Sequence, residues 1–208
     1  MTACKPVRAL RSRLLTAALA GAALLGLAGC TGSEPAAKFH TLDISGVDYA
    51  KGFSMPDAHG QQRSLADFAG KVVFVYFGFA QCPDICPTTM LEMAEVKKLL
   101  GEDGDKLQIV FVTVDPERDT PEVMRAYMQS FDPQAVALVG NAEQIAAMAR
   151  DFKVFYEKKP GSTPDTYTID HSASGYMYDP QGRLRLYVRY GTPVDQIAAD
   201  VRQLLQGR

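Results

Sequence analysis

The stretch Val72-Val-Phe-Val-Tyr-Phe-Gly78-Phe-Ala-Gln-Cys82-Pro-Asp-Ile-Cys86-Pro87-Thr-Thr decides how the chain is read. Residues 72–79 are apolar, β-branched and aromatic without alternation, which is the pattern of a central strand buried on both faces. Residues 88–100 then carry Met90, Leu91, Met93, Ala94, Val96, Leu99 and Leu100 at helical spacing, with Gly101 as a stop. Pro87 stands where a first-turn proline is tolerated. A buried strand leading into a helix opens a βαβ unit, and two cysteines four apart lie between them.

Outward from this stretch, residues 107–114 read as a second buried strand. A helix over 120–131 follows, capped by Thr120 with Pro121 at its first position. Residues 136–139 form a short strand and 141–151 a helix capped by Asn141. Residues 154–157 and 174–178 read as strands, and Asp179-Pro-Gln-Gly182 as a turn into a strand over 184–188. Thr192 is expected to cap a last helix ending near residue 206. Upstream, residues 53–57, Gly60 and residues 64–65 suggest a short hairpin whose turn holds Ala58-His59-Gly60. Strands alternating with helices imply an α/β domain with a parallel-rich sheet covered on both faces and a late antiparallel hairpin. This order resembles the thioredoxin-like fold with an extra N-terminal β-hairpin.

The chain has 208 residues, 47% hydrophobic and 22% charged, enough apolar surface for an ordinary core and too much for a disordered or fibrous protein. A formal charge of -2 offers no basic footprint for nucleic acid. Lys5, Arg8, Arg11 and Arg13 precede an apolar run over 14–28, short of the about 20 residues that span a bilayer, so it reads as a secretion signal. The run ends in Leu27-Ala28-Gly29-Cys30, which resembles the lipobox of bacterial lipoproteins, where the cysteine is acylated and becomes residue one. An ordinary signal peptide or an uncleaved anchor is the alternative. The expected organisation is a signal peptide over 1–29, a tether over 30–38 and one domain over 39–208. Cleavage leaves 179 residues. Four of the 22 basic residues and none of the 24 acidic ones depart, so the exported body carries a charge of -6. Cys4 departs too and Cys30 carries lipid. Cys82 and Cys86 remain as thiols outside the reducing cytosol, where a close pair is oxidised, metal-bound or redox-active.

A turn from a buried strand into a helix is where α/β sheets place ligand crevices. Free N–H groups and the helix dipole there lower a thiol pKa below its reference of about 8.5. Three readings of the pair stay open. A structural disulfide would close a loop too small to constrain the unfolded chain much. A redox pair of the thioredoxin type has two residues between its cysteines, against three here, and commonly follows a tryptophan, which this chain lacks. A metal site would use two soft thiolates, which select Cu(I) or zinc. Two thiolates over-neutralise Cu(I) by one charge, and a neutral imidazole would complete a three-coordinate site.

Of the three histidines, His40 in the tether region and His59 in the hairpin turn read as solvated. His171 is the candidate ligand. It sits in Asp170-His-Ser-Ala-Ser-Gly175, after the polar insertion 160–168 and directly before a strand. In a thioredoxin-like topology that loop faces the cysteine loop. Asp170 is a candidate to orient its imidazole. Met90, Met93, Met124, Met128 and Met148 fall at core spacing and read as packing rather than copper ligands. Asp115-Pro-Glu-Arg-Asp-Thr-Pro121 leaves the second strand at the dithiol edge. It is either a capped structural turn or the rim of the site, with Asp115 as a candidate outer partner.

Three separated blocks carry a wider resemblance: Val75-Tyr-Phe-Gly-Phe-Ala-Gln-Cys-Pro-Asp-Ile-Cys-Pro87, Val112-Thr-Val-Asp-Pro-Glu-Arg-Asp-Thr-Pro121 and Asp170-His-Ser-Ala-Ser-Gly-Tyr-Met-Tyr-Asp-Pro180. Together they resemble the Sco/SenC family of copper metallochaperones for cytochrome c oxidase assembly, in its bacterial lipoprotein form. Ala80 departs from the threonine expected before the motif. The resemblance implies a thioredoxin-like fold, with copper as Cu(I) and/or Cu(II) held by Cys82, Cys86 and His171. It also implies a lipid anchor on the periplasmic face of the cytoplasmic membrane. Copper would be delivered to the binuclear centre of oxidase subunit II, or the thiols of that centre reduced, with another periplasmic copper chaperone as a further partner and no nucleic acid. The alternative is a periplasmic thiol-disulfide oxidoreductase using Cys82 and Cys86, with His171 tuning a thiol. A passive lipid-anchored binding module would show neither metal uptake nor turnover.

Overall fold

The computed structural model describes residues 38–161, 163 and 166–208. The expected signal peptide, Cys4, the lipobox with Cys30 and all but the last residue of the tether lie outside the described residues. The elements are β1 (Leu42–Asp43), β2 (Ser54–Pro56), β3 (Gln62–Ser64), β4 (Val72–Gly78), α1 (Ile85–Leu100), β5 (Leu107–Thr113) and α2 (Pro121–Gln129). They continue with β6 (Val136–Leu138), α3 (Ala142–Asp151), β7 (Tyr156–Pro160), β8 (Tyr167–His171), β9 (Gly175–Tyr178), β10 (Leu184–Val188) and α4 (Val194–Leu205).

Every residue of β4 and β5 is buried, as an unbroken apolar run demands. The two lie side by side in a six-stranded sheet of order β1-β10-β9-β4-β5-β6. Helices close both faces. On one, Tyr76 and Phe111 meet Cys86 of α1 and Tyr127 of α2. On the other, the ring of Phe152, just past α3, sits edge-on to Phe77 and Tyr176, with centroids 5.2 Å away in each case. The β2–β3 hairpin lies outside this sheet and is fastened to edge strand β6 through Ala58 N–H to Ala137 O and Val139 N–H to Pro56 O. This is the thioredoxin-like arrangement with an added N-terminal hairpin.

The sheet is less parallel than alternation implied. Only β4–β5 and β5–β6 are parallel pairs, whereas β4–β9, β9–β10 and β10–β1 are antiparallel. β1 supplies one of these, and two residues carry no periodicity to read. The polar insertion 160–168 is also not a plain loop. Part of it joins β7 and β8 in a separate two-stranded hairpin, with Tyr156 opposite His171. Only Ile169 of β8 is buried, so its sequence looks like surface. β7 begins two residues later than the expected strand.

Two helix starts differ as well. α1 begins at Ile85, which puts Pro87 third, where its missing N–H costs no intrahelical bond. Cys86 therefore lies inside the first turn rather than before it. Thr192 does not cap α4. Its hydroxyl donates to Arg189 O, and Pro193 occupies the cap position. Thr120 and Asn141 do cap α2 and α3, accepting from Val123 N–H and Gln144 N–H.

The start of the domain is clasped by one carboxylate. Asp200 of α4 is fully buried and accepts from His40 N–H (2.9 Å), Thr41 N–H (2.8 Å) and the Thr41 hydroxyl (2.8 Å). Replacing Asp200 with alanine orphans buried donors and is expected to cost about 2–3 kcal/mol, read as a lower urea midpoint with an unchanged slope.

Candidate metal centre

The site is built at the C-terminal ends of β4 and β5. Past Gly78 the chain turns through Phe79 to Gln81, closed by Cys82 N–H to Phe79 O at 3.2 Å, and enters α1 after Asp84. This puts Cys82 at the mouth of the turn and Cys86 on the second residue of the helix. Gly78 is required by this packing. A Cβ there would stand 2.7 Å from Cys86 Sγ and 2.8 Å from Phe111 Cζ.

His171 arrives from the separate hairpin. Its Nε2 lies 3.3 Å from Cys86 Sγ, and its Nδ1 lies 3.0 Å from Ser172 O. Facing a carbonyl, Nδ1 carries the ring proton, so Nε2 turns its lone pair toward the sulfurs. Tyr76 and Phe79 flank the imidazole edge-on, with centroids 6.1 and 5.8 Å away. The ligand atoms of Cys82, Cys86 and His171 all lie within 4.8 Å of one another. Both cysteines are buried and free, and His171 is half-buried.

The two thiols are electrostatically unlike. The Cys86 thiol donates to Cys82, which draws the Cys82 pKa down to about 4 against the pull of burial. The N–H groups of Asp84 and Cys86 add to the effect. Cys86 is pushed up because its proton is held on Cys82 and because burial opposes its charge. The thiolate expected at the helix start thus forms on Cys82 and not on Cys86. Burial, with Cys86 beside it, also pushes the Tyr76 phenol up, so its hydroxyl, 3.9 Å from Cys86 Sγ, stays a donor.

The surrounding residues fall differently from expectation. Asp170 does not orient the imidazole. Alternation along β8 puts it on the strand face opposite His171, exposed, and Ser172 O takes the ring N–H instead. Asp115 is fully buried but acts at one remove, accepting from the Tyr167 hydroxyl (2.7 Å) and pairing with Arg118. Asp119, which sequence reasoning did not single out, holds the cysteine turn directly. Its Oδ2 accepts from Ala80 N–H (3.0 Å) and the Thr113 hydroxyl (2.6 Å), and burial pushes its carboxyl up. The block 112–121 is the available signal, and within it the sequence points to Asp115 rather than to Asp119. His40 is exposed. His59 lines a surface cavity of about 370 Å³ with Met124 and Met128, apart from the dithiol. The five methionines are buried, as their spacing implied. Among the described residues, no helix is long and apolar enough to cross a membrane.

Residues 43–206 match the SCO1/SenC family. Over 200 residues the chain is 38% identical to "Protein SCO2 homolog, mitochondrial" of Bos taurus, covering 93% of this chain and 75% of that one. It spans 60% and 58% of the length of the Mus musculus and Homo sapiens homologues. It is similar to the structure of Bradyrhizobium japonicum ScoI with copper bound, with 35% identity and a TM-score of 0.67, covering 74% of this chain and 97% of that one. A SCO1/SenC family lipoprotein from Bacillus anthracis str. Ames shares 28% identity at a TM-score of 0.62, covering 74% of this chain and 92% of that one.

Two measurements check this geometry. In Gly78→Ala the new methyl must displace Cys86, and the expected loss is about 1–3 kcal/mol in denaturant unfolding. In the reduced domain over 39–208, ultraviolet thiolate absorbance should show one thiolate persisting down to about pH 4 and no second one until above the ordinary thiol range. Cys82 is deprotonated in the folded state and protonated in the unfolded state across that window, so its contribution to stability rises from pH 4 to the thiol range. Cys86 acts oppositely, and above the thiol range stability falls.

Proposed function

The chain belongs to the SCO1/SenC family, and from that premise we propose that it is a copper chaperone of cytochrome c oxidase assembly. Its cargo is one copper ion, held by the Cys82 and Cys86 thiolates and the His171 imidazole. The observation that carries this reading is the convergence of two soft sulfurs and one imidazole nitrogen within 4.8 Å at the open end of the sheet. Copper bound to relatives such as ScoI supports it.

The residues divide the work. Cys82 is already a thiolate and offers a charge to an incoming cation. Cys86 must give up its proton to become a ligand, so loading releases protons and weakens in acid. His171 is the most exposed of the three and the one that an acceptor's ligand reaches first. Delivery is to the binuclear copper centre of oxidase subunit II, with another periplasmic copper chaperone as a source. Cys30 carries the lipid that holds the domain to the periplasmic face of the membrane. The Leu27-Ala28-Gly29-Cys30 sequence supports this, as does the lipoprotein name of the Bacillus anthracis relative.

A second reading is favoured by the unequal thiols. A nucleophilic Cys82 beside a protonated Cys86 is also what a thiol-disulfide reductase needs, with Cys86 resolving the mixed disulfide. The two roles compete, since closing a Cys82–Cys86 disulfide removes both thiolate ligands.

Copper titration separates them. The reduced domain is expected to take one equivalent and the oxidised domain none. Alanine at Cys82 or Cys86 should abolish tight binding, and His171→Ala should weaken it by about tenfold or more. A wild type that takes no copper yet reduces insulin disulfides would replace the first reading with the second. In the full chain, Cys30→Ala should lose incorporation of labelled fatty acid.

A further inference from the structure

His171 and the two cysteines come from elements that share no backbone ladder. β7–β8 is a sheet of its own, and none of its strands pairs with β4 or β9. Beyond the three residues 172–174 that lead from His171 into β9, side chains set the third ligand against the first two. The block 115–119, whose role the sequence left open, supplies the crossing point.

We propose that Arg118 is the positioning residue of the centre, the group that ties the cysteine turn to the hairpin that carries His171. Its Nη1 donates both to Gln81 Oε1 (3.1 Å), adjacent to Cys82, and to Tyr167 O (2.8 Å), at the head of the strand that ends in His171. Its guanidinium carbon lies 3.6 Å from the Tyr167 ring centroid and 5.7 Å from that of Phe79. Nε pairs with the buried Asp115, and the Tyr167 hydroxyl donates to the same carboxylate. Burial and that bond push the Tyr167 phenol up to about 12, so it stays a donor at neutral pH. The parallel Lys158–Glu117 pair at 2.6 Å is exposed and contributes little by comparison.

The arrangement needs arginine rather than a cation in general. A lysine ammonium can pair with Asp115, but it has no planar face to lie on Tyr167 as the guanidinium does while its Nε pairs with Asp115 and its Nη1 reaches Gln81 and Tyr167 O. Removing the charge altogether would strand a buried carboxylate, which unfolds proteins for reasons unrelated to the centre. Arg118→Lys is therefore the discriminating change.

The inference rests on the proposed reading that Cys82, Cys86 and His171 hold copper, and a double-mutant cycle on the reduced protein tests both separately. Cu(I) affinity is measured by competition with a chromophoric chelator in wild type, Arg118→Lys, His171→Ala and the double variant. Thermal unfolding without metal confirms that each is folded. Arg118→Lys alone is expected to lower affinity about tenfold. With His171 already absent, the same change should have no measurable effect, because nothing remains to position. An equal loss in both backgrounds, or no loss in either, overturns the role of Arg118 while leaving the copper site intact. A wild type without copper affinity, or a His171→Ala variant as tight as wild type, overturns the copper reading and this inference with it. Should Arg118→Lys fail to fold, Tyr167→Leu removes the stacking ring without touching a charge, and the same pattern is expected.

Discussion

Val72 to Phe77 are each at most 1% exposed, so the central strand can meet solvent only at its ends. With its backbone spent on β5 and β9 and its side chains on the helices of either face, β4 fixes where chemistry is possible. Its carboxyl end opens into a turn, and the polar groups there are the first in the strand not already committed. The cysteines occupy that turn, and Val114 N–H bonded to Gly78 O at 2.8 Å brings the Asp115–Asp119 loop beside them. The site is thus a consequence of the strand's burial, and Gly78 is the point at which that packing leaves room for sulfur.

The two sulfurs owe their difference to this placement. Cys82 sits where backbone N–H groups are unspent and a neighbouring thiol can donate. Cys86 is tucked under the sheet against Tyr76, where charge is disfavoured. One proton is thereby shared unequally between two chemically identical groups. Both a soft-metal site and a redox pair draw on that asymmetry, which explains why one scaffold suits either chemistry, whereas metal loading and disulfide closure exclude one another because each needs both sulfurs.

Long periodic segments were legible from sequence. β4, β5, α2 and α3 declare themselves by burial pattern and caps, and the sequence singles out Cys82, Cys86 and His171 as one set. Less was legible where local sequence does not decide. β1 is too short to show a period. β8 reads as polar because one of its five residues is buried. A proline within the first turn neither demands nor forbids three more helical residues, so the start of α1 was misplaced. Arg118 was beyond reach for another reason. Two of its partners, Gln81 and Tyr167, lie 37 and 49 residues away, and only the folded chain makes them neighbours. Asp170 misled because adjacency in sequence along a strand means opposite faces.

The Asp200 clasp has a mechanical consequence. Whatever pulls on the N-terminal segment pulls first on residues 40 and 41, which are bonded to α4, and then on β1 at the sheet's outer edge. β10 and β9 stand between that edge and β4. Tension on the leading segment is therefore shared between the rim of the sheet, two strands removed from β4, and α4, which packs against the helix that carries Cys86.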